Sequence, residues 1–270
     1  MQLKNCQNLL KNSRKRKVNK VVDRFRLLKS SNRKGVAVLI DPDDIDQEGL
    51  IECLNSCLKN KVDFIFVGGS LVTSNNLHDV VTLAKSYTDI PCVLFPGNAI
   101  QIDASADAIL FLSLISGRNP ELLIGQHVVA APVVKRSKLE VIPTGYMLVN
   151  SGKPTSASYI SNSQPLPNDK PSLAASTALA GEMLGMKSIY LDAGSGAEEP
   201  VSHKVIKAVN HVVDVPLIVG GGLNTAAKAR KTLDAGADVI VIGNGVQKNL
   251  DTIAEVVHVI ESFNAALNVN

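Results

Sequence analysis

A chain of 270 residues that is 45% hydrophobic can bury a large core, and at this size one domain is as natural as two. Four cysteines (Cys6, Cys53, Cys57, Cys92) show no CxxC pattern and no histidine partner at metal spacing, and no apolar run approaches the ~20 residues that span a bilayer. That excludes a disulfide scaffold, a zinc module and a spanning helix; a reduced, cytoplasmic protein without a signal peptide is expected. The net charge of +3 hides an asymmetry: residues 1–34 hold 12 Lys/Arg against Asp23 alone (+11), and the remaining 16 basic and 24 acidic residues give −8.

Within the basic segment Val18, Val21, Val22 and Phe25 recur at i, i+3, i+4 and i+7, which predicts an amphipathic helix with a basic outer face. It reads as a solvated cap on the floor of the fold or as a surface drawn to anionic lipid head groups. A run such as Arg14–Lys17 also suits nucleic acid, but aromatic residues are scarce there and no nucleic-acid motif follows.

Eight short strands follow, apolar on both faces: Val36–Ile40, Asp63–Val67, Cys92–Phe95, Ala108–Leu114, Gly145–Val149, Ser188–Leu191, Pro216–Val219 and Val239–Ile242. Helical patterns alternate with most of them, at Ile45–Leu58, from Asn75 and Asn76 onward, and at Leu173–Leu184, His203–Val212, Thr225–Leu233 and Leu250–Phe263. Eight strand–helix units without a break in composition predict an α/β fold, a single (β/α)8 barrel over residues 35–270 behind the helical extension of residues 1–34. Two intervals depart from the repeat. Only 12 residues separate Phe95 from Ala108, too few for a loop, a full helix and a second loop, so a short helix, a compact loop or a missing helix is expected, the last leaving an apolar flank open. That flank favours a homo-oligomer. Residues 150–171 carry Pro154, Pro165, Pro167 and Pro171, a long rim loop suited to a lid.

The chemistry gathers at predicted strand ends. Gly220-Gly221-Gly222 and Gly243-Asn244-Gly245 end the last two strands ahead of helices; bare backbone N–H groups and helix N-termini there form the phosphate cup that such barrels build late in the chain. Asp41-Pro42-Asp43-Asp44 ends the first strand. Asp41 suits Mg²⁺, with the Ser70 hydroxyl of Gly68-Gly69-Ser70 as a neighbouring oxygen ligand, whereas Asp43, Asp44 and Asp46 suit a helix N-terminus. The sixth strand runs into Tyr190-Leu191-Asp192-Ala193-Gly194-Ser195-Gly196. Asp192 can hold a substrate hydroxyl or take its proton, and Tyr190 can donate to a phosphate oxygen. Glu140, Tyr146 and Lys135 flank the fifth strand and are candidates to reach the same mouth, or to serve as surface pairs and strand-edge packing. None of the five histidines falls at a strand tip, and no nucleophile elbow, Walker loop or dinucleotide fingerprint is present. Two anionic sites in one mouth imply two phosphorylated substrates or one substrate with two phosphates, and three classes remain: an enzyme acting on them, a sugar-phosphate isomerase, which would need a second base at the mouth, and a non-catalytic phosphoglycolipid-binding protein.

The run of Leu39–Asp43, Val67–Ser70, Leu94–Gly97, Ala106–Phe111, Gly145-Tyr146, Tyr190–Ala197, Val219–Gly222 and Gly243-Asn244 resembles the geranylgeranylglyceryl phosphate synthase family, which includes the bacterial heptaprenylglyceryl phosphate synthases. The resemblance implies a barrel whose third helix is replaced by an extended segment. It implies Mg²⁺-dependent transfer of a long prenyl group, geranylgeranyl foremost, from its diphosphate to the 3-hydroxyl of sn-glycerol 1-phosphate, a step of phospholipid biosynthesis. By position it makes Asp41 and Ser70 the metal ligands and Asp192 the catalytic residue. Glycerol phosphate would meet Tyr190, Leu191, Asp192, Ala193, Gly194, Ser195, Gly196, Gly221, Gly222, Gly243 and Asn244. Family members often carry glutamate where Asp192 stands, so the carboxylate is kept one methylene shorter and can act as a base or as an anchor. The basic extension inherits no role.

Overall fold

A computed structural model describes residues 20–72, 76–243 and 249–267. Eight parallel strands close into a barrel in sequence order: β1 (Gly35–Ile40), β2 (Phe64–Val67), β3 (Cys92–Leu94), β4 (Ala108–Leu114), β5 (Glu140–Leu148), β6 (Ser188–Asp192), β7 (Leu217–Gly220) and β8 (Val239–Ile242). Around them run α1 (Val21–Ser30), α2 (Gln47–Lys59), α3 (Leu77–Tyr87), α4 (Gln126–Ser137), α5 (Ser156–Ser161), α6 (Pro171–Met183), α7 (His203–Val212), α8 (Ala226–Asp234) and α9 (Asp251–Ala266). Strand side chains alternate between two apolar layers, as the period of two requires. Ile189 and Leu191 of β6 pack outward against the helices, while Tyr190 joins Phe64, Phe66, Leu110 and Ile142 in the barrel interior.

The described part of the basic extension is a floor plug. Val21 and Phe25 of α1 are buried, and the Phe25 ring lies 4.6 Å from that of Phe64. The backbone N–H groups of Val21 and Val22, orphaned at the helix start, donate to the Glu140 carboxylate at 2.7 and 3.1 Å. At the other end of α1, Lys29 and Lys34 pair with the buried carboxylate of Asp238. Val18 lies outside the described residues.

Two segments differ from the periodicity reading. β5 begins at Glu140 rather than Gly145, because Pro143, a strand breaker by propensity, sits where its carbonyl accepts from Lys187 N at 2.7 Å and its missing N–H costs only one ladder slot. The run after β4 forms a π-helical turn, Glu121–Gly125, and then α4, although Pro132 and four valines weigh against a helix there; burial of Ala130 and Val134 against the barrel outweighs propensity. Between β3 and β4 no helix forms. That ladder has two pairs, Val93 with Ala108 and Leu94 with Ile109, against seven between β4 and β5. Among the described residues no helix is long and apolar enough to cross a membrane.

Candidate active site

At the C-terminal rim the strand ends enclose a cavity of about 520 Å³. Asp41, Asp43 and Asp44 from β1, Gly68 to Ser70 from β2, and Tyr190, Asp192, Gly194, Ser195 and Gly196 from β6 line it. Gly221 and Gly222 after β7 and Gly243 after β8 complete the described wall. Asp41, Ser70, Tyr190, Asp192, Gly194, Ser195, Gly196, Gly221, Gly222 and Gly243 therefore meet in one mouth. Leu191 and Ala193 do not line the mouth. Alternation along β6 turns both side chains into the outer layer, and the Ala193 N–H is bound to the Gly220 carbonyl at 3.0 Å. Asn244 lies outside the described residues.

Asp192 sits at the tip of β6 with both oxygens engaged. Oδ2 accepts from the Tyr146 hydroxyl and Oδ1 from the Gly194 N–H at 2.7 Å. Burial raises its pKa, and these two bonds pull it back down. The same burial, with the Asp192 charge beside them, raises the phenols of Tyr146 and Tyr190 well above their ordinary value, so both are held as donors. Of the three candidates that flank the fifth strand, Tyr146 is the one whose side chain reaches Asp192. Glu140 and Lys135, placed beside it as candidates for the mouth, belong elsewhere: Glu140 caps α1 at the floor, and Lys135 is exposed in the last turn of α4.

Glycine is required at position 221 for two reasons. Its φ of +85° disfavours any side chain, and a Cβ there would stand 2.7 Å from the Gly194 nitrogen and 2.9 Å from Asp192 Oδ1. The loop after β7 thus lies directly on the Asp192 turn, with backbone on both sides of a narrow cup.

Opposite the cup, Asp41 Oδ1 accepts from the Asp43 N–H at 3.1 Å, and burial raises its pKa, with the Asp43 N–H opposing and the neighbouring acids adding to the rise. Its carboxylate lies so close to Gly69 that a Cβ there would stand 2.5 Å from Oδ2. Asp46, by contrast, caps α2 by accepting from the Gly49 N–H at 2.8 Å. Among the described residues no three or more His, Cys, Asp or Glu side chains converge on one point as a cage. A single carboxylate, a hydroxyl from Ser70 and room left by Gly69 fit a hard cation that keeps waters and shares phosphate oxygens.

Beyond Ser70 the lining turns apolar. A cavity of about 90 Å³ shares Gly69, Ser70 and Phe95 with the mouth and continues over Leu112, Leu114, Leu122, Tyr146, Ala157 and Ile160. A second, of about 50 Å³, shares Pro96, Gly97, Leu112 and Leu122 with the first and reaches Phe111, His127 and Ala130 on the outer wall. This groove occupies the gap where no helix follows β3. Its roof is α5, a short helix inside the proline-rich rim loop, capped reciprocally by Thr155 and Ser158.

With that geometry in place, comparison with known proteins decides the family. Residues 29–260 match the PcrB family. The chain belongs to that family. It is similar to a geranylgeranylglyceryl phosphate synthase of Spirosoma linguale, 53% identical over 88% of this chain and 96% of that one. It is also similar to the Pyrococcus horikoshii protein of the same name, 41% identical over 84% and 89%. Among solved structures it resembles (S)-3-O-geranylgeranylglyceryl phosphate synthase of Thermoplasma acidophilum in complex with substrate sn-glycerol-1-phosphate, with a TM-score of 0.85, 29% identity and coverage of 90% of this chain and 99% of that one. PcrB-family membership thus rests on nearly the whole barrel, from the end of α1 into α9.

Proposed function

We propose that this protein transfers a prenyl group, geranylgeranyl foremost, from its diphosphate to the 3-hydroxyl of sn-glycerol 1-phosphate. One observation carries the reading: a polar cup and an acidic strand tip share a mouth with an apolar groove that leaves through the missing-helix gap. A sugar-phosphate isomerase has no use for such a groove, and a simple lipid binder has no use for a buried carboxylate held by two donors.

In this reading the backbone around Gly194–Gly196, Gly221, Gly222, Gly243 and Asn244 and the Tyr190 hydroxyl hold the glycerol phosphate. Asp192, oriented by Tyr146 and Gly194 N–H, accepts the free hydroxyl and takes its proton as the oxygen attacks the allylic carbon. The allylic C–O bond breaks and diphosphate leaves on the Asp41 side. Asp41 and Ser70 would hold Mg²⁺, which when bound supplies charge neutralisation for the departing diphosphate. The tail lies along Leu112, Leu114 and Leu122, where each buried CH₂ contributes about 0.8 kcal/mol. Alignment of hydroxyl and allylic carbon can contribute about 7–11 kcal/mol in favourable cases.

Two further features belong to the proposal. The outward face of α4 exposes Val128 and Val129, each 67% exposed, with Ile124 beside them, and suits a second copy of the chain. The basic extension suits peripheral contact with an anionic bilayer, and a cytoplasmic enzyme using a membrane-soluble donor would profit from it. The deciding experiment gives the full-length protein sn-glycerol 1-phosphate, Mg²⁺ and a mixture of prenyl diphosphates and identifies products by mass spectrometry. Prenyl ethers of glycerol phosphate are expected; unreacted donors would end the reading. Removal of residues 1–19 is expected to leave turnover of a short soluble donor intact while liposome binding falls, and sedimentation of the intact chain reports self-association.

A further inference from the structure

The gap after β3 leaves the exit of that strand without a helix behind it. Its turn, residues 95–97, nonetheless lies hard against residues 68–70, the turn that carries Ser70. A Cβ on Gly68 would collide with the Phe95 carbonyl oxygen, and one on Gly97 would collide with the Gly69 carbonyl and stand 2.7 Å from that of Ser70. On its other side the Gly69 backbone borders the Asp41 carboxylate. The two turns thus meet backbone to backbone, and close packing passes a shift of one on to the other. Gln101 holds the outer turn in place. Its side chain is nearly fully buried, and its Oε1 accepts from the Gly97 N–H at 2.9 Å. Its backbone N–H donates to the Asn98 carbonyl at 3.4 Å, and Gln126 of α4 accepts from the Ala99 N–H at 3.2 Å. The Gln101 Nε2 is buried with no hydrogen-bond partner among the described residues. An unmatched buried N–H opposes folding, and an apolar chain of equal length would fill the space without it. What the amide adds is the acceptor for Gly97.

We propose that Gln101 is a positioning residue for the donor's diphosphate: by fixing Gly97 it holds residues 68–70, and with them the Ser70 hydroxyl, in place beside Asp41. It braces the strand exit where an outer helix is missing. Without the Gln101 acceptor the Gly97 N–H turns to water, residues 95–97 back away from the Gly69 and Ser70 carbonyls, and Ser70 loses its fixed direction. The glycines of the phosphate cup rest on other groups. Those at 194, 221 and 222 pack against Thr155, Asp192, Ala197, Pro200 and one another. Loss of the Gln101 bond therefore falls on one substrate and spares the other. This inference rests on the prenyl-transfer reading above, with Mg²⁺ and diphosphate on the Asp41 side.

The test titrates the full-length protein by calorimetry with two ligands separately, inorganic diphosphate in the presence of Mg²⁺ and sn-glycerol 1-phosphate. Gln101→Met keeps the length of the side chain and removes the acceptor. It is expected to weaken diphosphate binding about ten-fold and to leave glycerol phosphate binding within about two-fold. Gln101→Glu keeps an acceptor oxygen for Gly97 and is expected to bind both ligands within about three-fold of the unaltered protein. In turnover, KM for the prenyl donor should rise in Gln101→Met while KM for glycerol phosphate stays. Loss of stability alone lowers the number of binding sites per chain and leaves each Kd unmoved. An unchanged diphosphate Kd in Gln101→Met overturns the proposal. So does equal weakening of both ligands, which would make Gln101 a general support of the barrel, and so does equal weakening in Gln101→Met and Gln101→Glu, which would leave the acceptor without a part. If the unaltered protein forms prenyl ethers but does not bind inorganic diphosphate with Mg²⁺, this inference alone falls. If it forms no prenyl ether, the transfer reading falls and this inference with it.

Discussion

On the β6–β8 side of the mouth the wall is backbone: glycines at 194, 196, 221 and 222 adopt positive φ and bring loop backbone together around Asp192, which accepts from the Gly194 N–H. On the β3–β4 side the wall is side chains, Phe95, Leu112, Leu114 and Leu122, laid over a place where the barrel lacks its outer helix. The first side discriminates by charge and geometry and tolerates almost no substitution. The second works by area, so its contributions are spread over many contacts and each loss is partial. A two-substrate site with one charged and one hydrocarbon portion needs both kinds of wall within one cavity.

Substitutions sharpen that contrast in descending order. Asp41→Ala is expected to lower turnover by about 10³-fold or more, since the proposed Mg²⁺ site loses its carboxylate and diphosphate departs with its charge unbalanced; retained turnover would discard the assignment of Asp41. Gly221→Ala should cost about 10²-fold in kcat/KM for glycerol phosphate, because the added methyl meets the Gly194 nitrogen and Asp192 Oδ1 and the backbone must leave positive φ. Steady-state kinetics in each substrate separately would show the donor's KM unaffected. Tyr146→Phe removes one hydrogen bond to a charged group, about 1.5–3 kcal/mol, and should lower kcat about 10- to 100-fold with little change in Tm.

That same variant makes a prediction about pH. As the proposed base, Asp192 has to be ionised to take the hydroxyl proton, and burial raises its pKa, so activity is expected to fall as pH drops through that raised value. The Tyr146 bond holds the pKa down, so in Tyr146→Phe the acid limb of the kcat profile should move to higher pH. A limb that stays put or moves down would show that Asp192 titration does not govern turnover. On the apolar side, Leu112→Asn should lower kcat/KM by about 10-fold for a C20 donor and leave a C5 donor unchanged, a difference read by competition. Smallest for catalysis is Phe25→Ala in the floor plug. It should cost about 3–5 kcal/mol of stability by denaturant titration and leave kcat at low temperature as it was.

The glycine-rich side was legible in the chain because its chemistry is local. A glycine cluster after a β-branched run announces a tight turn, and an acid at a strand end announces a carboxylate at the mouth. The missing helix was legible too, by arithmetic, since 12 residues between Phe95 and Ala108 leave it no room. Tyr146 was harder. Its partner is 46 residues away, and only the β5–β6 register, which sets Tyr146 opposite Tyr190 and Leu148 opposite Asp192, brings the phenol to the carboxylate. Glu140 misled for the same reason: it belongs to the same strand as Tyr146 but starts it at the floor, where the orphan amides of α1 claim it.

Strand and helix periods, turn chemistry and the order of strand ends were thus determined by the amino-acid sequence alone, because each depends on neighbours within a few residues. Which side chains of β5 and β6 meet, and how the groove runs over the gap between β3 and β4, were decided only when the barrel closed. Those contacts join residues far apart in the chain, and no local pattern encodes the register that brings them together.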